Sequence, residues 1–462
     1  MSTAGPEAAP SAPATGLAAG DGSLNGNGVR NGNGAVDDAS PLRRPGAREH
    51  RAFVVAALAI AVYLVLAYLV FVRPGVHRAD HVLAAILPAA ILALAAELYR
   101  RMIAGLRASL CLLFGIFSAV TGAVAVDRLQ VEGYSPGAAV GIVPLVAGAV
   151  LIVLGVWVVW ASRKRGGPLW RTILRRAVVA VVALLVVYWV VLPVSMAIVG
   201  TERPRTAVED ADLGRPKQDV TLVTRDGVKL SAWYVPSLNH AAVITFPRQW
   251  TVQQARMLVK NGYGVLLLDP RGYGESEGDP NAYGWGSTKD IDAAVAWLRR
   301  RPDVQKRRIG GLGLSVGGEQ MIEAAARNRG LKAVVSEGAG IRSVREAMLR
   351  EGPSPVELAL QYPQDLSQTV SVWLLGGETV PMSLKTAALL IGPRAVLFIY
   401  GQDGQEVEKA LNPVYYEAAF SPKGIWMVPG AGHTKGIQAQ PDEYERVVVG
   451  FFDKILLSGR PE

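Results

Sequence analysis

Two serines stand in the pattern G-x-S-x-G: Ser315 in Gly313-Leu314-Ser315-Val316-Gly317, and Ser276 in Gly274-Glu275-Ser276-Glu277-Gly278. The pattern alone cannot choose between them as a nucleophile for acyl transfer. Context can, because the hydroxyl must be lifted above a sheet edge by a strand that enters a tight turn and a helix that leaves it. Only Ser315 has both flanks, with an apolar run before it and Gly317-Gly318-Glu319 opening a helical stretch after it. Ser276 lies in a polar, glycine-rich loop. A serine hydroxyl is a weak nucleophile and needs a base. In this half of the chain the choice is His240 or His433. His433 is favoured, since Gly430-Ala431-Gly432-His433 follows the last expected strand, whereas His240 precedes the third strand and falls on the opposite sheet edge. A carboxylate must then fix the imidazole tautomer, and it should follow the strand before the histidine loop. Asp403, in Tyr400-Gly401-Gln402-Asp403-Gly404, takes that place, with Glu406 and Glu408 as fallbacks.

The elements that would position these groups begin near residue 219. Short β-rich runs at 220–224, 228–234, 241–246, 264–268, 309–314, 333–335, 395–400 and 425–428 alternate with helical patterns, the signature of a mostly parallel sheet with helices on both faces. Arg225-Asp226-Gly227 marks a hairpin between the first two. Some 260 residues suffice for one such domain. An insertion over residues 341–392 precedes the acid-bearing strand and would form a small cap. Trp250, Tyr283 and Trp285 either line a pocket or merely pack.

Residues 219–462 resemble an α/β-hydrolase-fold serine hydrolase, most closely the dienelactone-hydrolase-like and serine-aminopeptidase-like branch. The resemblance rests on Asp269-Pro270-Arg271-Gly272-Tyr273-Gly274-Glu275-Ser276, on Gly311-Leu312-Gly313-Leu314-Ser315-Val316-Gly317-Gly318-Glu319, and on Gly430-Ala431-Gly432-His433. It implies Ser315, Asp403 and His433 as the catalytic residues, and the first motif as a structural loop. Such hydrolases carry His-Gly after the third strand, and the next residue donates an oxyanion-hole N–H. Here the sequence reads Phe246-Pro247-Arg248-Gln249-Trp250. Pro247 has no N–H, so the expected donors are Val316 and Arg248, the latter through its backbone, with its guanidinium available for charge stabilisation or for an anionic substrate group.

The N-terminal half is of another kind. Half of the 462 residues are hydrophobic and 19% are charged, too apolar for a wholly soluble chain of this length. After a polar Ala/Gly/Asn/Ser/Pro-rich stretch, expected to be a disordered tail to about residue 50, five apolar runs at 52–72, 82–99, 108–126, 138–161 and 177–199 have spanning length. Of the net charge of +9, +8 lies in the first 200 residues. The basic excess thus flanks the spans rather than forming a nucleic-acid-binding patch. Arg43, Arg44, Arg48 and Arg51, then Arg100, Arg101 and Arg107, then Arg163, Lys164, Arg165, Arg171, Arg175 and Arg176 mark the cytoplasmic side. An odd number of spans puts the C-terminal domain outside. His77, Asp80 and His81 in the first outer loop have a spacing compatible with a metal, but no third protein ligand is evident, and interface solvation is the expected role. The single cysteine, Cys111, excludes an intrachain disulfide framework.

The sequence therefore predicts a multi-pass membrane-anchored serine hydrolase. It would act on an ester, thioester or amide through an acyl-enzyme, without metal or organic cofactor, and with the lipid bilayer and a small-molecule or acyl substrate as partners. The alternatives are an inactive hydrolase fold used as a binding module, motivated by the missing His-Gly, and an acyltransferase.

Overall fold

The computed structural model describes residues 44–162, 168–347, 349 and 354–458. The tail before residue 44 and the basic residues Arg163, Lys164 and Arg165 lie outside the described residues. Five helices are long and apolar enough to cross a membrane: α1 (Ala47–Val70), α2 (Arg78–Arg101), α3 (Ala104–Val131), α4 (Pro136–Ala161) and α5 (Leu169–Glu202). They coincide with the five expected spans. α1 begins at Ala47, so the last residues assigned to the tail are helical, and α5 starts at Leu169 because Arg171, Arg175 and Arg176 prolong the helix. Their outward residues are large and apolar, with Val55 67%, Val153 69% and Leu184 68% exposed. Between α3 and α4 the backbones meet. A Cβ on Gly122 would sit 2.5 Å from the Leu145 nitrogen, and one on Gly148 2.6 Å from that of Ala119, so glycine is what permits the approach.

The C-terminal domain is built on eight strands: β1 (Gln218–Val223), β2 (Lys229–Val235), β3 (Ala242–Phe246), β4 (Gly264–Leu268), β5 (Ile309–Leu314), β6 (Ala333–Glu337), β7 (Ala395–Gly401) and β8 (Lys423–Val428). Their order is β1-β2-β4-β3-β5-β6-β7-β8, with β2 antiparallel to both of its neighbours and every other adjacent pair parallel. The helices are α6 (Val252–Lys260), α7 (Thr288–Leu298), α8 (Val316–Arg327), α9 (Pro355–Gly376), α10 (Leu384–Ile391), α11 (Glu406–Ala418) and α12 (Pro441–Phe452). Both faces of the sheet are covered, which is why its strands read as continuous apolar runs. In β4, Leu266 and Leu268 join one core with Met321 and Phe398, while Val265 and Leu267 join the other with Tyr263 and Phe452.

The insertion before β7 divides in two. α10 buries Leu384, Ala387, Ala388 and Ile391 and belongs to the domain core. α9 instead lies against α5: Trp189 Nε1 donates to Leu360 O at 2.9 Å, and Val372 packs with Ala197 and Trp285. The loops join as well. Gly278 N donates to Pro74 O at 2.8 Å, and Ala282 N to Gly200 O at 2.9 Å. His77 is exposed, and its Nε2 donates to Asp226 O at 2.8 Å. Contrary to the expectation of solvation, His81 is 5% exposed and pairs with Asp279 at 2.9 Å, covered by the Gly278–Asp279 loop of the second domain.

Candidate active site

β5 ends in Leu314, Ser315 makes the turn, and α8 starts at Val316. Ser315 holds φ +53° and ψ −124°, a conformation that costs a non-glycine residue on the order of 1–3 kcal/mol and persists only where its surroundings enforce it. They do so through contact. A Cβ on Gly313 would lie 2.2 Å from Gly317 O, and one on Gly317 2.3 Å from Phe246 O, so neither position admits a side chain without displacing the backbone. Ser315 N donates to Glu337 O at 2.7 Å, tying the turn to β6. Ser315 is half-buried.

His433, in the loop after β8, places Nε2 at 2.9 Å from Ser315 Oγ and Nδ1 at 2.7 Å from Glu408 Oε2. A carboxylate only accepts, so Nδ1 carries the proton and Nε2 accepts from the serine. The sequence expectation of Asp403 as the carboxylate on His433 is thereby corrected. Asp403 is exposed, and its recorded bond is from its backbone N–H to Ala431 O at 2.9 Å. Glu406 turns outward to Lys409. Glu408 is fully buried in the first turn of α11, where it also closes a capping box: Oε1 accepts from Gln405 N at 2.9 Å. Its longer side chain reaches back from the helix to the place a shorter acid at the strand end would hold. The spacing Gln405-x-x-Glu408 is the signal that could have revealed it. Gly338, with φ +74°, leaves the room: a Cβ there would meet Glu408 Oε2 at 2.9 Å and His433 Cε1 at 3.0 Å.

Two further buried acids escaped sequence reasoning. Glu337 accepts from Tyr444 OH at 2.7 Å and from Gly436 N at 2.9 Å, anchoring the chain just past His433, and burial holds its pKa above the ordinary carboxylate value. Glu319, on the first turn of α8, accepts from Gly340 N at 2.9 Å; burial pushes its pKa up to about 7, against the opposing pull of Arg342.

Arg248 opens the turn after β3. Phe246, the last residue of β3, pairs with Gly313 on the adjacent parallel strand, and a Cβ on Gly317 would lie 2.3 Å from Phe246 O and 2.8 Å from Pro247 Cδ, so the chain entering Arg248 packs against the first turn of α8. Val316 begins that turn, and its N–H is among those a helix leaves without intrahelical acceptors. The guanidinium is a different matter. It is 2% exposed, paired with Asp269 and stacked 4.5 Å over Trp233, so it is not free to meet a substrate anion.

Ser276 is wholly buried; its Oγ donates to Asp269 O and accepts from Ser231 N, both at 2.9 Å. Arg271 of the same loop is bound to Asp290 through N and Nε, each at 2.9 Å. Both side chains hold the loop in place. His240 is exposed on the far edge of β3. Tyr283 and Trp285 line a pocket of about 180 Å³ with Arg342, Gln368 and Val372, whereas Trp250 is 53% exposed. Gly284, between the two aromatic residues, lies against the first turn of α8: a Cβ there would meet Val316 Cγ1 at 2.7 Å. Among the described residues, no three His, Cys, Asp or Glu side chains are grouped to hold a metal ion.

A parallel sheet with a strained serine at a strand–helix turn and a histidine after the last strand defines a hydrolase scaffold. Residues 211–371 match the X-Pro dipeptidyl-peptidase (S15) family. An uncharacterized protein of Mycobacterium tuberculosis, Rv2307c, is 30% identical over 231 residues, which cover 47% of this chain and 72% of that protein. The polyketide transferase grgF of a Penicillium species is 28% identical over 137 residues, covering 26% of this chain and 44% of the relative. Among solved structures, the Pyrococcus furiosus esterase Pf2001 superposes with a TM-score of 0.43 at 22% identity, over 55% of this chain and 99% of that one. The chain belongs to the α/β-hydrolase-fold serine hydrolases. It is a serine-hydrolase-type enzyme.

Proposed function

We propose that this protein is a membrane-anchored serine hydrolase that cleaves an ester, thioester or amide through an acyl-enzyme on Ser315. The observation that carries the reading is the unbroken line Ser315 Oγ, His433, Glu408, with contacts of 2.9 and 2.7 Å. Ser315 Oγ attacks the carbonyl carbon as its proton passes to His433 Nε2, and Glu408 stabilises the imidazolium through Nδ1–H. The N–H groups of Val316 and Arg248 receive the oxyanion. His433 then protonates the leaving group, and a water molecule, deprotonated in turn by His433, releases the acid. The strained turn at Ser315 weighs against the binding-module alternative, for which such a conformation has no use. Transfer of the acyl group to another hydroxyl is a second reading, favoured by the similarity to a polyketide transferase.

The membrane reading rests on the five apolar helices and the arginines at their ends. It puts the N-terminus in the cytoplasm and the hydrolase domain outside. A fluorophosphonate probe on purified full-length protein tests the chemistry: wild type and Ser276→Ala label, Ser315→Ala does not. Labelling that survives in Ser315→Ala refutes the assignment. Alkaline phosphatase fused after residue 458 tests the topology, and an inactive fusion overturns the extracytoplasmic placement.

A further inference from the structure

A cavity of about 190 Å³ lies where all five long helices meet α9. Tyr63 of α1, Leu92 of α2, Phe117 of α3, Ile198 of α5 and Leu374 and Leu375 of α9 give its character. None of its lining side chains is charged, and of its five hydroxyls those of Thr121 and Ser371 are spent on their own helices: Thr121 Oγ1 donates to Phe117 O at 2.9 Å, and Ser371 Oγ to Ser367 O at 2.7 Å. The other thirteen lining residues are apolar, and an apolar cavity near 150 Å³ is already large enough for benzene. It opens outward, since Ile91 on its wall is 46% exposed and stands among the apolar outer residues of α2, Leu87 and Leu94.

We infer that this cavity is a binding site for one hydrocarbon chain of a membrane lipid, entered from the outer face of α2 and closed on the far side by α9. The inference rests on the membrane reading, for only there is the surrounding medium hydrocarbon; it does not depend on which serine is the nucleophile. The occupant is an acyl chain rather than a headgroup, because the lining can neutralise no charge. In hydrocarbon the gain on entering is not removal from water but close packing against the cavity wall, so the site takes a slender unbranched chain in preference to leaving the space unfilled. α9 is a wall with two sides. Ser371, Leu374 and Leu375 face this chain site, while Gln368, Thr369 and Val372 line the pocket of Tyr283 and Trp285.

The test uses the full-length protein in phosphatidylcholine nanodiscs with a palmitic acid carrying a mid-chain diazirine. Irradiation should concentrate adducts on peptides bearing Leu92, Phe117 and Leu374, and excess unlabelled palmitate should remove them. Filling the cavity with Ser118→Phe should lower those adducts at least tenfold and leave adducts on the outward residues Leu58 and Val153 unchanged. Ile198→Phe serves if Ser118→Phe does not give a monodisperse protein. Adducts spread evenly over the outward residues mean boundary lipid only and overturn the proposal, as do cavity adducts indifferent to palmitate and to filling. Carbonate extraction tests the membrane reading separately: protein released into the soluble fraction defeats that reading whatever the probe does.

Discussion

Replacing Glu408 by glutamine isolates what its charge does. The substitution keeps the side chain's length and an oxygen for the Gln405 N–H, so the start of α11 stays capped. The carboxylate sits 2.7 Å from Nδ1 and is fully buried, so solvent does not screen it. With charge centres about 4 Å apart, its attraction for an imidazolium is about 4 kcal/mol at an effective dielectric constant near 20, a factor of about 10³ in rate. The amide also presents an NH₂ that can donate to Nδ1, which moves the ring proton to Nε2 and removes the acceptor Ser315 needs; the loss can then reach about 10⁴. The second-order rate of fluorophosphonate labelling measures this without a known substrate. Asp403→Ala, at an exposed position, should stay within about threefold of wild type. Should Asp403→Ala lose a hundredfold while Glu408→Gln labels normally, the assignment of Glu408 and the geometry behind it are wrong.

Ser276→Ala removes two hydrogen bonds, one tying its loop to Ser231 of β2 and one to Asp269 just after β4, and should cost about 1–3 kcal/mol in stability, read as a lower thermal midpoint, while Ser315 still labels. Gly317→Ala would drive a methyl to 2.3 Å from Phe246 O and 2.8 Å from Pro247 Cδ, displacing the loop that carries the Arg248 N–H; labelling should fall on the order of a hundredfold, and unchanged labelling would remove that loop from the site. Glu319 has a folded-state pKa near 7 against about 4.5 when unfolded. Its protonated form therefore belongs to the folded state, and the stability it adds is complete below about pH 4.5 and lost as pH rises through 7, a change of about 3 kcal/mol. Glu319→Gln should shrink the difference in thermal midpoint between pH 5 and pH 8, though not abolish it, since burial also raises Asp269 to about 7 against the opposing charge of Arg248. An undiminished difference would show that Glu319 does not titrate there.

What the sequence revealed and what it concealed follow from the range of the forces concerned. The eight strands were legible because each is a short apolar run between turn residues, and Ser315 because strand, turn and helix all show in neighbouring positions. His433 was legible for the same reason. Asp403 fits the sequence because it follows the strand before the histidine loop; Glu408 lies five residues further on, in the first turn of α11, and reaches back with one extra methylene, which a strand-end rule does not contain. The Arg248 side chain misled in a different way. Nothing near it in sequence announces Asp269 and Trp233, which reach it only once β2, β3 and β4 are paired. His81 reads as a loop residue facing water because its partner, Asp279, lies some 200 residues away.

Those contacts have a bearing on how the protein meets its substrate. A single helix would leash a hydrolase and let it swivel. Here the loop after α1, the start of α2 and the length of α5 grip the catalytic domain, its helix α9 included, at separate points: Pro74 on Gly278, His81 on Asp279, Gly200 on Ala282 and Trp189 on Leu360. Three or more anchorages fix a body's heading as well as its distance. In the proposed membrane setting, Ser315 would stand at one altitude above the lipid and face one compass direction along it, so that reach and approach angle, and not affinity alone, would sort the molecules it can process.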